Sequence, residues 1–284
     1  MMTGRPLSRR HTLKGAVGAA AALTLASATG APSASAADGA GTEADGAGKA
    51  TVVLVHGAFA DAASWNPVTE RLQHQGYTVT AAANPLRGLA HDATHVAARL
   101  AAIPGPVVLV GHSYGGAVIT QAAADAPNVK ALVYVSAFVP DAGEILGELA
   151  ARFPGSQLDA ALTPVPVPGA DGTTATDLYI RPDRYHDVFA QDVARSTTRV
   201  LAAGQRPLSA SAFTDRVSAA AWRTLPSWNL ISTQDRGIVP ALQRFQAARA
   251  RSRTTEVPTS HLPMHSRPDA VTALIRAAAR TVRP

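Results

Sequence analysis

A run of four aliphatic residues, Val107-Val108-Leu109-Val110, ends on Gly111-His112-Ser113-Tyr114-Gly115-Gly116 and passes directly into Ala117-Val118-Ile119. An aliphatic run of this length without polar alternation predicts a strand buried on both faces. The glycines predict a sharp turn from that strand into a helix. Glycines flanking the serine let strand and helix approach closely, while the serine occupies strained backbone and its hydroxyl stands clear of the sheet. A serine hydroxyl is a poor nucleophile until a base takes its proton, and this geometry exposes it to one. G-x-S-x-G is common by chance, and the strand and helix on either side of this copy are what mark Ser113 as a nucleophile.

The same rhythm runs through the chain. Predicted strands at Thr51 to Val55, Thr78 to Ala82, Val107 to Val110, Lys130 to Val135, Trp228 to Ser232 and Thr254 to Val257 alternate with helical patterns. Those patterns cover Trp65 to Gln75, Asp92 to Ile103, Tyr114 to Asp125, Pro240 to Arg251 and a last helix from Asp269. Alternation of this kind predicts an α/β fold, a mostly parallel sheet covered by helices. The rhythm breaks between about 140 and 226. There Pro164, Pro166, Pro168 and Gly169 are expected to interrupt any regular element, and Asp183 to Gln205 reads as helical. Phe153, Leu178, Tyr185, Phe189 and Phe213 supply apolar area that a linker does not need, so the stretch is read as a cap inserted above the sheet.

Residues 1–36 read as a twin-arginine export signal: Arg9-Arg10, an Ala-rich apolar stretch too short to span a bilayer, and Ala34-Ser35-Ala36 as cleavage site. Residues 37–50, rich in Gly, Ala and acidic side chains, read as a disordered linker, leaving 51–284 as the folded domain. A secreted or periplasmic location, reached through the twin-arginine machinery without a stable membrane anchor, is the resulting expectation. The net charge of +6 owes four positive charges to Arg5, Arg9, Arg10 and Lys14 in the signal, so the mature chain is near +2 and nucleic-acid binding loses its support. With no cysteine in 284 residues, disulfides and thiolate metal sites are excluded.

Partners for Ser113 are sought at the carboxyl ends of the other strands. Val55 runs into His56-Gly57-Ala58-Phe59, a small-residue turn whose Ala58 N–H, with that of Tyr114, is placed to form an oxyanion hole. His56 precedes the turn and is read as structural. Asp235 follows the strand at 228–232 and is taken as the acid in preference to Asp141, which sits in a Pro-Asp-Ala-Gly turn. His261 follows the last strand and is taken as the base in preference to His265. The order Ser, Asp, His is the one such a sheet imposes. Phe59, Phe138 and Met264 are taken as substrate contacts. His91 and His95 have a spacing that can bind metal, but without a third ligand they are read as a solvated helix face. Trp65, Trp222 and Trp228 are read as packing residues.

Beyond the elbow, five segments carry a resemblance: Val55 to Ala58 with Ser64-Trp65, Val110 to Gly116, Ser136-Ala137-Phe138-Val139-Pro140-Asp141, Asp235 to Gln243, and His261 to Pro268. The chain resembles the α/β-hydrolase superfamily, and within it bacterial esterase-like members similar to plant methylesterases and hydroxynitrile lyases. The resemblance implies a triad at Ser113, Asp235 and His261, an oxyanion hole at Ala58 and Tyr114, and no metal or organic cofactor. The lyases carry a lysine immediately after the catalytic histidine, where this chain has Leu262, which argues for ester hydrolysis. Related dehalogenases and epoxide hydrolases use an aspartate nucleophile in place of Ser113. The implied substrate is a small or medium, partly apolar carboxylic ester. A lactonase is a close variant, and a non-catalytic ligand-binding receptor with the same fold is the competing class.

Overall fold

The computed structural model describes residues 49–169 and 172–282; the export signal and nearly all of the expected linker lie outside the described residues. The chain begins with β1 (Thr51–Val55), α1 (Asn66–His74), β2 (Val79–Ala82), α2 (Leu89–Ala101), β3 (Val107–His112), α3 (Tyr114–Ala122) and β4 (Val129–Val135). The intervening stretch carries α4 (Leu146–Ala151), β5 (Leu162–Pro168), β6 (Thr174–Ile180), α5 (Pro182–Phe189), α6 (Arg195–Ala203) and the short β7 (Leu208–Ser209). The chain then returns through β8 (Ser227–Ser232), α7 (Pro240–Arg249), β9 (Arg253–Val257), α8 (Pro263–Ser266) and α9 (Pro268–Ala279).

Six parallel strands form one sheet in the order β2-β1-β3-β4-β8-β9. Every residue of β3 and β8 is buried, which requires cover on both faces. α9 packs with α1 and lies over β3, β4 and β8, while α2 packs with α3, which lies over β1, β3 and β4. At one edge β9 exposes Arg253, Thr254, Thr255 and Glu256, a polar and charged rim that discourages pairing with another chain.

Two expectations are corrected. The prolines do not prevent regular structure: β5 pairs antiparallel with β6, with Pro164 opposite Leu178, Pro166 opposite Thr176 and Pro168 opposite Thr174. In an antiparallel pair every second N–H points at the neighbour. The three prolines share one parity, and β6 is the sole neighbour of β5 among the described residues, so the missing N–H groups fall on the edge away from β6. The helical pattern over 183–205 is two helices, α5 and α6, parted by a turn at 190–194.

α2 also starts earlier than its pattern predicts, at Leu89 instead of Asp92. Its first N–H is capped from a distance: the Leu89 N–H donates to Asp215 Oδ2 at 2.8 Å. Asp92 is thereby released from capping and turned inward, where it is fully buried and accepts from Tyr114 Oη at 2.8 Å and from the Arg87 N–H at 2.9 Å.

Candidate active site

Ser113 sits between the end of β3 and the first residue of α3 with φ of 54°, a conformation costly for a residue with a Cβ. The surrounding glycines make the turn sterically possible. A Cβ on Gly115 would lie 2.7 Å from the carbonyl oxygens of Val55 and His56, and one on Gly57 would lie 2.7 Å from Ser113 Cβ. The Ser113 N–H donates to Val135 O at 3.2 Å, and its carbonyl accepts from the N–H groups of Gly116 and Phe138 at 3.0 and 3.1 Å, so the strained residue is held by the end of β4 and by the loop after it.

The three candidate residues meet. His261 Nε2 lies 2.7 Å from Ser113 Oγ and His261 Nδ1 lies 2.6 Å from Asp235 Oδ2. A carboxylate only accepts, so Nδ1 carries the proton and Nε2 is free to accept the serine hydroxyl. Asp235 is buried and fully engaged. Oδ1 accepts the N–H groups of Gly237 and Ile238 at 2.7 and 3.0 Å, and Oδ2 also accepts from Gln243 Nε2 at 2.8 Å. Gln243 in turn donates to Ile238 O and accepts from the Ser232 N–H, which fixes which way its amide points.

Two buried histidines that do not contact Ser113 Oγ support this arrangement. His112 Nε2–H donates to the carbonyl of His261 at 2.8 Å and anchors the backbone of that loop; burial holds its pKa well below the usual histidine range, so it stays neutral. His56 Nδ1–H donates to Gly57 O at 2.8 Å and Nε2 accepts the Asn84 N–H at 3.0 Å. Both ring nitrogens are satisfied in the neutral form, and burial lowers its pKa to about 4. Asp141 is engaged elsewhere, in a bidentate pair with Arg223 at 2.8 and 2.5 Å that holds its carboxyl below the usual range.

The N–H groups of Ala58 and Tyr114 have no acceptor among the described residues. Both residues line a cavity of about 600 Å³ that also opens onto Ser113, Phe59 and Phe138. The segment from 147 to 162 with Leu178, Phe189, Leu208 and Phe213 forms most of the remaining wall, closed by Gly237 and Ile238; Asp159 is its charged member, and no Lys or Arg reaches it among the described residues. Two of the polar side chains are engaged within the protein: Ser156 Oγ donates to Gly237 O at 2.8 Å, and Tyr114 Oη to Asp92. Met264 does not reach this cavity. The chain turns inward at Pro263, and α8 packs on α9, α1 and the turn at 62–65, leaving Met264 fully buried. His265 and Leu262 face a separate cavity of about 190 Å³ beyond Phe59.

His91 and His95 are exposed on α2. Trp65 is fully buried, with its ring edge toward His112 at 6.3 Å between centroids. The sequence pattern does not single out His112, Gln243 or Asp92. His112 occupies a variable position of the elbow, and Gln243 and Asp92 act through spacings that only folding creates.

A parallel sheet bearing a serine on a strained turn after β3, with an aspartate and a histidine on the loops after β8 and β9, defines the α/β-hydrolase class of protein. The chain belongs to the Alpha/beta hydrolase family, whose model matches residues 52–274. A carbendazim-hydrolysing esterase of Nocardioides sp. (strain SG-4G) is 37% identical over 110 residues, 34% of this chain. The match spans 46% of that relative's length. Among solved structures, polyneuridine aldehyde esterase superposes with a TM-score of 0.72 at 19% identity, covering 81% of this chain and 98% of its own. A pyrethroid hydrolase from Sphingobium faniae JZ-2 gives 0.66 at 22%, covering 81% and 97%, and a methylesterase from Arabidopsis gives 0.68 at 17%, covering 82% and 100%. At these identities the likeness is one of fold.

Proposed function

We propose that this chain is a serine carboxylic-ester hydrolase that works through a covalent acyl-enzyme. The observation that carries the reading is the unbroken chain from Ser113 Oγ through His261 to Asp235, at 2.7 and 2.6 Å. Ser113 Oγ attacks the ester carbonyl as its proton passes to His261 Nε2, and Asp235 stabilises the imidazolium. The negative charge on the former carbonyl oxygen is received by the N–H groups of Ala58 and Tyr114. Collapse returns the proton to the departing alcohol and leaves an acyl-serine. Water, deprotonated by the same histidine, then releases the acid. Relatives named as esterases and hydrolases accord with this chemistry.

The substrate is an uncharged, largely apolar ester. The cavity offers no cation to an anionic group, its one charged side chain is the acidic Asp159, and Ser156 and Tyr114 already bond within the protein, so shape and apolar contact select the ligand. Phe59 and Phe138 supply such contact. Leu262 stands where a lyase would carry a lysine, and its side chain is buried, which favours hydrolysis. Arg9-Arg10 and Ala34-Ser35-Ala36 support export by the twin-arginine route with a mature N-terminus at Ala37.

The test is a stopped-flow assay with p-nitrophenyl esters. A burst of one nitrophenolate per chain is expected, together with labelling by a fluorophosphonate. Ser113→Ala should lower kcat by on the order of 10⁴-fold and abolish labelling. A folded protein with neither burst nor turnover on any ester would make it a binding protein. Mass spectrometry of the exported protein checks the cleavage site.

A further inference from the structure

The segment between β4 and β8 does more than wall the cavity. It contacts each of the three loops that carry the proposed machinery. On the histidine loop, Asp192, in the turn between α5 and α6, accepts the Ser260 N–H on Oδ2 at 3.0 Å and the Ser260 hydroxyl on Oδ1. Ser260 is the residue before His261 and is fully buried. Phe189, at the end of α5, lies against the His261 ring with centroids 4.6 Å apart. On the aspartate loop, Gln191 Nε2 donates to Gln234 O at 2.6 Å and Arg236 donates to Asp187 O at 2.7 Å, on either side of Asp235. The Gln157 N–H and Ser156 Oγ reach the carbonyls of Arg236 and Gly237, both at 2.8 Å. On the oxyanion turn, Phe59 follows Ala58 with φ of 58°, and both its backbone groups are bound from the same segment. Its N–H donates to Arg206 O and its carbonyl accepts from Tyr185 Oη, each at 3.1 Å.

We propose that the inserted segment is a clamp that sets the geometry of the reacting groups, with Asp192 and Tyr185 as positioning residues for His261 and Ala58. The inference rests on the ester-hydrolase reading for its activity arm only. The loops after β1, β8 and β9 extend beyond the sheet's ladder, so the sheet alone does not order them. Asp192 replaces a missing ladder with a two-point contact on the residue adjoining the base. Tyr185 does the same for a strained residue next to an oxyanion donor. A wall and a clamp differ in one respect: a wall matters only to substrates large enough to touch it.

The experiment uses the whole mature chain with Asp192→Ala, Ser260→Ala and Tyr185→Phe. Asp183→Ala, exposed at the start of α5, serves as control. The readouts are kcat and KM for an acetyl and a long-chain ester, the labelling rate with a small fluorophosphonate, and the low-field NMR signal of His261 Nδ1–H. A clamp predicts that Asp192→Ala lowers kcat and the labelling rate about 10- to 100-fold, the loss expected for a base displaced by roughly 1 Å. KM should be nearly unchanged, the fall should be the same for both esters, and the Nδ1–H signal should broaden or shift. Ser260→Ala, which keeps the N–H, should give a smaller loss of the same kind, and it decides the matter if Asp192→Ala does not fold. Folded variants that keep the parent labelling rate and Nδ1–H signal, or that lose activity only on the long ester, would overturn the clamp. Were the parent protein inactive on every ester, the hydrolase reading would fail while the NMR comparison still decides the clamp.

Discussion

Asp235→Asn isolates the role of the buried carboxylate, because the two side chains have the same shape. Asp235 accepts four hydrogen bonds and donates none: two backbone N–H groups meet Oδ1, and Gln243 Nε2 and His261 Nδ1 meet Oδ2. A carboxamide must turn its NH₂ toward one of these pairs. Facing Gly237 and Ile238 would leave two buried N–H groups against a donor, so the NH₂ is expected to face His261 and Gln243. Gln243 cannot adapt cheaply, since flipping its amide forfeits the bonds to Ile238 O at 2.6 Å and from the Ser232 N–H at 3.1 Å. His261 therefore yields: its Nδ1 becomes the acceptor, its proton moves to Nε2, and Nε2 then presents a donor to Ser113 Oγ. A base in the wrong tautomer costs about 10⁴-fold in kcat, or about 5 kcal/mol of transition-state stabilisation. Steady-state hydrolysis of a p-nitrophenyl ester at neutral pH measures it, with circular dichroism and a urea melt to show that the fold persists. A folded Asp235→Asn protein retaining a tenth or more of parent kcat would refute the tautomer argument.

The same contacts predict further outcomes. Gly57→Ala should cost about 1–3 kcal/mol in a urea melt and sharply reduce labelling of Ser113, because the added Cβ meets Ser113 Cβ at 2.7 Å and His112 O at 2.9 Å. His261→Ala should abolish turnover, whereas His265→Ala should keep kcat near the parent value, since His265 faces the smaller cavity beyond Phe59; equal loss in both would contradict this placement. His56 is held neutral with a pKa of about 4, so below about pH 6.5 the unfolded chain takes up a proton that the folded chain refuses. Stability should therefore fall as pH drops from about 6.5 toward 4, by up to about 3 kcal/mol from this residue. Urea midpoints across that range should show a shallower slope in His56→Gln.

What the sequence by itself determined is whatever depends on neighbours along the chain. The apolar runs at 52–55, 107–110 and 131–135 are buried on both faces and become central strands, because unbroken apolar stretches have no solvated side to offer. Gly111, Gly115 and Gly116 around Ser113 announce a turn that only small residues tolerate, and the elbow is legible for that reason. Asp235 and His261 are legible as candidates because a parallel sheet puts the ends of β8 and β9 on the same carboxyl edge as the end of β3. Tertiary structure decided what depends on residues remote in sequence. The start of α2 is set by Asp215, more than a hundred residues away, and that frees Asp92 to bind Tyr114. Three prolines form a strand because, among the described residues, β5 has β6 as its one neighbour and the prolines face away from it. Met264 turns into the core and leaves the cavity to Phe59 and Phe138. His112 on the His261 carbonyl and Asp192 on Ser260 leave no pattern in the chain. A hydrogen bond between distant segments constrains two residues jointly, and a reading that moves along one chain meets each of them alone.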